Sequence, residues 1–279
     1  MKFEHALLAV DLSKSSDDLV HCMGDLKKLG ISKVTLLTAV SNPYPGGPEK
    51  FDTSSFEKKL EGYAQKLNKQ GFDADWKLEI QSSIYAPVTI LQVAEELSAD
   101  LLIVGHRGHN RLSELLLGSV ASEIIQRSAR PVLLLRVSDS EDDTNISICK
   151  NLTSHILAPT DFSENADRAL LVFGNGQLKA SNVTLLHVQN ASDAAKEKEL
   201  NKRKDWLTEK GIETVEATAV VSSHRPWKKI TEYADQKDAS MIVMGSQGKG
   251  YVEDLFIGSN SHRVARRTTK PLLLIPADQ

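Results

Sequence analysis

Cysteine is nearly missing from this chain. Cys22 and Cys149 are the only two, they have no close partner in sequence, and nothing about them demands an oxidising compartment. Cys22 falls in an amphipathic helical stretch and reads as a small core residue, while Cys149 sits near a linker. Long apolar runs are missing as well, so no segment approaches a membrane span. The opening Met1-Lys2-Phe3-Glu4-His5-Ala6-Leu7-Leu8-Ala9-Val10 puts an acid before a very short apolar run, unlike a signal peptide. The expected location is the cytoplasm. A large excess of either charge is also missing: the formal net charge of −3 leaves no electrostatic footprint for nucleic acid. The local patch Arg263, Arg266 and Arg267 reads better as structural or phosphate-facing. Two catalytic signatures are lacking too, the Gly-x-x-x-x-Gly-Lys-Ser/Thr loop and the Gly-x-Ser-x-Gly elbow.

What is present is a signature written twice. Gly105-x-x-Gly108, nine residues and Gly118-Ser119 recur 140 positions later as Gly245-x-x-Gly248, nine residues and Gly258-Ser259. Three fixed glycines and a serine should arise by chance in fewer than about 1% of chains of this length. Each copy follows an apolar run, Leu101-Leu102-Ile103-Val104 or Met241-Ile242-Val243-Met244, that reads as a buried strand. The glycines therefore stand where a strand hands the chain to a loop and helix. Backbone amides there can approach a phosphate closely.

The repeat extends to whole units. Ala6-Leu7-Leu8-Ala9-Val10-Asp11 answers to His155-Ile156-Leu157-Ala158-Pro159-Thr160-Asp161, Val34-Thr35-Leu36-Leu37 to Val183-Thr184-Leu185-Leu186, and Pro131-Val132-Leu133-Leu134-Leu135 to Pro271-Leu272-Leu273-Leu274-Ile275. The offset falls from 150 to 140 along the way, most economically because the loop Asn42-Pro43-Tyr44-Pro45-Gly46-Gly47-Pro48 has no counterpart. Helical spacing joins Leu19, Met23, Leu26 and Leu29 before Gly30, and Phe56, Leu60, Ala64 and Leu67 before Gly71. Ile90, Val93, Ala94 and Leu97 form a third stripe, and Val120, Ile124 and Ser128 a fourth. Phe173, Trp206-Leu207, Ile230 and Val264 mark the second set. The expectation is an α/β chain of two tandem, doubly wound, five-stranded parallel-sheet domains, 1–137 and 151–279, with an acidic solvated linker at 138–150.

In such sheets a ligand sits beyond the carboxyl ends of the strands, at the switch point. Asp11 and Asp161 end the first strand of their halves and the Gly loops follow the fourth, which makes them neighbours. A carboxylate there can accept hydrogen bonds from ribose or a base amine, while glycine amides and the Ser119 or Ser259 hydroxyl take phosphates. Taken singly, each feature has a plain structural use: glycines for turns, aspartate and serine as helix caps. The joint repeat favours a nucleotide site. His106 and His109 read as surface or phosphate-facing rather than as a metal pair, since no third ligand clusters with them.

Together these residues resemble the universal stress protein family, in the ATP-binding branch defined by Gly-x-x-Gly-x9-Gly-Ser/Thr. The resemblance covers nearly the whole chain and is closest in Ile156-Leu157-Ala158-Pro159-Thr160-Asp161-Phe162-Ser163 and Leu185-Leu186-His187-Val188. It implies a Rossmann-like fold of the adenine nucleotide alpha hydrolase type and a ligand of ATP, ADP or AMP, with magnesium able to accompany the nucleotide. In the second half it implies contacts from Pro159, Thr160, Asp161, Val188, Gly245, Ser246, Gln247, Gly248, Gly258, Ser259, Asn260 and Ser261. In the first half the matching positions are Ala9, Val10, Asp11, Ala39, Gly105, His106, Arg107, Gly108, Gly118, Ser119, Val120 and Ala121. There Ala39 replaces the family's usual Val and Ala9-Val10 its Pro-Thr. His106-Arg107 and His109-Asn110-Arg111 make the first loop more cationic than Ser246-Gln247 and Lys249 make the second. The Ser-Gly-Gly-x-Asp-Ser loop of the related ATP pyrophosphatases is missing.

A nucleotide-dependent stress sensor acting on an unknown protein partner is the first functional reading. A slow ATPase or autokinase and a nucleotide-free interaction module are the alternatives. Relatives commonly pair through the last strand, so Leu133-Leu134-Leu135 and Leu272-Leu273-Leu274-Ile275 are candidates for pairing the halves as an internal pseudo-dimer. A homodimer of two chains stays open.

Overall fold

The computed structural model describes residues 2–42, 52–81, 85–106, 117–136, 151–174, 178–248 and 257–277. The expected linker, most of the loop after Asn42, and Arg107, Gly108, His109, Asn110, Arg111, Cys149 and Lys249 lie outside the described residues. The first half runs β1 (His5–Ala9), α1 (Lys14–Leu26), β2 (Lys33–Ser41), α2 (Ser54–Lys69), β3 (Asp73–Gln81), α3 (Ala86–Glu96), β4 (Leu101–Gly105), α4 (Ser119–Arg127) and β5 (Val132–Leu135). The second repeats it as β6 (His155–Pro159), α5 (Glu164–Gly174), β7 (Asn182–Gln189), α6 (Ala194–Glu209), β8 (Thr214–Val221), α7 (Pro226–Gln236), β9 (Met241–Gly245), α8 (Ser259–Arg267) and β10 (Leu272–Ile275).

Local chemistry sets these boundaries. A 3-10 turn, Lys27–Leu29, follows α1, and Gly30 ends it at φ +90°, a conformation glycine adopts without strain. α6 starts where Asp193 Oδ1 accepts the amides of Ala195 and Lys196 at 3.0 and 3.4 Å. The central strands β4 and β9 are buried on both faces and read as continuous apolar runs, as parallel strands covered by helices must.

Within each half the spatial order is 3-2-1-4-5, all parallel. The halves are not separate sheets. β5 and β10 pair antiparallel, Leu133 opposite Leu273, and join them into one ten-stranded sheet ordered β3-β2-β1-β4-β5-β10-β9-β6-β7-β8. Each face of that sheet carries one core running through both halves. Under α1, α2, α5 and α6 lie residues such as Met23, Leu60, Phe173 and Leu207, and Leu133 and Leu273 bridge them. Under α3, α4, α7 and α8 lie Ile90, Ile124, Ile230 and Val264, bridged by Leu134 and Leu272.

Cys22 departs from its reading as a plain apolar filler. It is buried on α1, as expected, and it is also disulfide-bonded. Periodicity along one helix carries no information on such a crosslink.

Candidate functional site

A cavity of about 340 Å³ opens over the carboxyl ends of β6, β7 and β9. One proline interrupts the hydrogen-bond ladder beside it. The amide of Thr160 donates to Leu186 O at 2.9 Å, on the β7 side. Alternation along a strand therefore turns the nitrogen of Pro159 toward β9, where it has no proton to give. β6 and β9 stay in register only at Ile156 with Met241 and Leu157 with Ile242. In the first half, where Ala9 stands at this place, β1 and β4 remain paired as far as Ala9 with Val104.

The Gly-x-x-Gly loop is pinned from behind. Asn165, buried at the start of α5, donates to Ile275 O at 3.1 Å and accepts the Gln247 amide at 2.8 Å. A Cβ at Gly245 would stand 2.5 Å from Asn165 Oδ1 and 2.8 Å from its carbonyl oxygen, so no other residue fits without displacement. Ser246 does not line the cavity. It turns inward, donating its amide to Ile275 O and accepting that of Gly258, each at 2.7 Å. Gly248 approaches the opposite wall: a Cβ there would stand 2.5 Å from Asp161 Oδ2. The Ser261 hydroxyl ties the first turn of α8 to Gly245 O at 3.0 Å.

This leaves a cavity with distinct sides. Ser259, Asn260 and Ser261 open α8 beside it, and their amides, preceding the first intrahelical donor His262, have no acceptor among the described residues. With the positive end of the helix dipole behind them, they suit an anion. Leu186, Val188, Pro226, Ile230, Met244 and Ile257 form an apolar side. Asp161 supplies the only carboxylate among the described lining residues. The residue after it, Phe162, is held at φ +62°, with His187 tilted against its ring at 4.4 Å and the Arg203 guanidinium 4.9 Å from its centroid. Arg203 is itself fixed by two 2.6 Å hydrogen bonds to Asp167. That stack orients the turn carrying Asp161.

Compared with known proteins, the sequence matches the universal stress protein family over residues 2–136 and again over 153–276. The chain belongs to the universal stress protein family. A solved universal stress protein from Archaeoglobus fulgidus is 26% identical, with a TM-score of 0.74 and 98% of each chain covered. A universal stress protein of Mycobacterium bovis is 25% identical over 223 residues, covering 76% of this chain and 74% of the relative. One from Synechocystis is 31% identical over 136 residues, which is 48% of this chain and 85% of that one.

The two copies of the universal stress protein unit differ at their sites. In the second, Pro159, Thr160, Asp161, Val188, Gly245, Gln247, Gly248, Gly258, Ser259, Asn260 and Ser261 all line one cavity. In the first, Asp11 Oδ1 accepts the hydroxyls of Ser13 and Ser16 at 2.6 and 2.8 Å and the Ser13 amide at 3.0 Å. At the corresponding second-half places, Ala166 stands for Ser16, and the Ser163 hydroxyl accepts the Ala166 amide instead. Ala9, Asp11, Ala39 and Gly105 lie half-buried toward the strand ends and Gly118 half-buried at the N-cap of α4, Val10 and Ala121 are buried, and Ser119 and Val120 are exposed.

His106 corrects its surface reading. It is buried, its amide on Leu135 O at 2.9 Å and its carbonyl under Gly118 N at 2.7 Å, the same inward turn Ser246 makes. Asn165, Ala166, Leu186, Pro226, Ile230, Met244 and Ile257 escaped sequence reasoning as site residues. Ile230 and Met244 carried a signal, as apolar residues of α7 and β9, but that signal spoke only of core.

Proposed function

We propose that the second half binds an adenine nucleotide in this cavity, and that occupancy is the state a protein partner reads. One observation carries the proposal. The free amides of Ser259, Asn260 and Ser261, the carboxylate of Asp161 and the apolar wall all face a single cavity, at a strand switch point where only glycine fits at 245. The residues present suit the group. The amides and the Ser259 hydroxyl would hold phosphates, Asp161 would accept from ribose or a base amine, and Leu186, Val188, Ile230 and Met244 would flank the base. Magnesium enters as the nucleotide's own counterion, because the described lining offers one carboxylate, too few for a protein-held ion.

Binding without turnover is the favoured reading. Among the described lining residues Asp161 is the lone ionisable group, and as it carries adenosine recognition no second group among them is left to activate water. The first half is the weaker candidate because its Asp11 already serves two serine hydroxyls. A partner sensitive to the ordered Gly loops belongs to the same proposal.

Mass analysis of small molecules released from denatured, freshly purified protein tests it, together with ATP, ADP and AMP titrations. Co-purified nucleotide, or saturable binding near one equivalent that Gly248→Ala weakens, is the expected result. Full activity in a phosphate-release assay that Gly248→Ala removes would replace the sensor with a slow ATPase. No binding of any of the three would leave an interaction module.

A further inference from the structure

The helix that opens on the nucleotide cavity also walls a second recess. Trp227, His262, Arg263, Arg266 and Arg267 enclose about 230 Å³ beside α7 and α8. The two spaces are back to back: Pro226 faces the first and Trp227 the second, and the Trp227 amide donates to Asn260 Oδ1 at 3.4 Å in the wall between. Arg263, Arg266 and Arg267 are exposed, and none has an ion-pair partner among the described residues, where arginine pairs form at Arg127 and Arg203 instead. The Arg263 guanidinium stands 5.9 Å from the Trp227 ring. The Trp227 indole nitrogen is buried with no hydrogen-bond partner. No carboxylate lines the recess among the described residues. Three like charges at spacings of one, three and four along one helix repel one another, a cost that an anion between them removes.

The duplication supplies an internal control. Shifted by 140 positions, the same places in the first half hold Pro87, Ser122, Glu123, Gln126 and Arg127. There Glu123 pairs with Arg127 at 3.3 Å and accepts the Tyr85 hydroxyl. One acid and one base cancel in the first half, whereas the second holds three bases and no acid. The same fold is thus built without the arginine cluster, so packing does not require it.

We propose that this recess is a second anion site that takes a phosphate group, separate from the nucleotide cavity. Guanidinium forks match phosphate oxygens in pairs, and the indole N–H is a further donor awaiting an acceptor. The volume lies below that of ordinary whole-ligand pockets, about 300–1,000 Å³, and suits an anionic head rather than a complete cofactor. The first half reaches this helix too: Gln126 Nε2 lies 3.4 Å from His262 Nε2, and Arg136 donates to Ala265 O at 2.9 Å. An anion here therefore bears on the contact between halves.

Titration of the full chain with inorganic pyrophosphate, and separately with glycerol 3-phosphate, tests the site by calorimetry and tryptophan fluorescence. Saturable binding of either supports it, and the tighter probe shows whether a free oligophosphate or a phosphomonoester is the better occupant. Arg263→Glu/Arg266→Gln, which installs the first half's own residues, should weaken that binding about tenfold or more while leaving the thermal midpoint in place. Trp227→Phe should abolish the fluorescence response. Gly248→Ala, aimed at the other cavity, should leave it intact, so failure of the nucleotide reading does not touch this one. Binding unchanged in the double variant, lost in Gly248→Ala, or matched by chloride at equal ionic strength would overturn it.

Discussion

Asn165 holds Gly245 and Gln247 from the side, so the two glycines of one short motif face different neighbours and should fail differently. At Gly245 an added methyl meets a carbonyl and a fixed amide, neither free to move, and Gly245→Ala should cost about 1–3 kcal/mol in urea unfolding. At Gly248 it meets only the end of the Asp161 side chain. Gly248→Ala should keep the unfolding midpoint within about 0.5 kcal/mol and lose nucleotide affinity, because the carboxylate is pushed aside; a lowered midpoint with affinity intact would refute this. Two histidines add a pH response. Burial first, then the charges of Arg266 and Arg263, hold the His262 imidazole below its ordinary 6.5, and burial with Lys33 does so at His5. Both bind protons more weakly folded than unfolded, so their contribution to stability is complete above about pH 6.5 and is lost as pH falls toward the lowered values. The urea midpoint should drop from about pH 7.5 to about pH 5, and the drop should shrink in His5→Asn/His262→Gln. An equal drop in both proteins would discount the two imidazoles.

Among the elements, the β6–β9 pair is the one that loses a ladder hydrogen bond, at Pro159. Pro159→Ala returns an amide to that ladder. It should add about 0.5–1.5 kcal/mol to stability; a urea midpoint that stays put or falls would show that the missing rung costs nothing. The elements themselves were largely legible. Apolar runs of four and five residues gave the strands, three-to-four spacing gave the helices, and the repeat confirmed both by giving the same reading twice. The loop glycines were legible because spacing alone marks them. Asn165 was not, since it acts across some 80 residues of sequence and nothing local distinguishes it from an ordinary helix-start asparagine. Pro159 was visible as a residue, but its effect depends on which neighbour its nitrogen faces, a property of pairing. His106 misled because a histidine beside glycines suggests a loop surface, whereas the residue after the first glycine turns beneath the loop in both halves.

For the molecule as a whole, the shared cores make the two units one cooperative body. Trp76 reports on the first, and Trp206 and Trp227 on the second. Variants retaining Trp76 alone or Trp206 alone should give coincident urea transitions. Leu273→Ala, at the centre of the β5–β10 joint and fully buried, should lower both together by about 2–5 kcal/mol. Two separated midpoints would mean that the joint is adhesive rather than cooperative.

That joint has a further consequence. When two identical subunits meet edge to edge, every substitution is made on both sides at once, and each side is held to what the other tolerates. Here the pairing partners are encoded separately. One copy was free to keep Glu123 and its neutral helix while the other gathered Arg263, Arg266 and Arg267, and one kept its ladder closed while the other broke it with Pro159. Separate encoding lets the two units differ at these places while the β5–β10 joint keeps them in one frame.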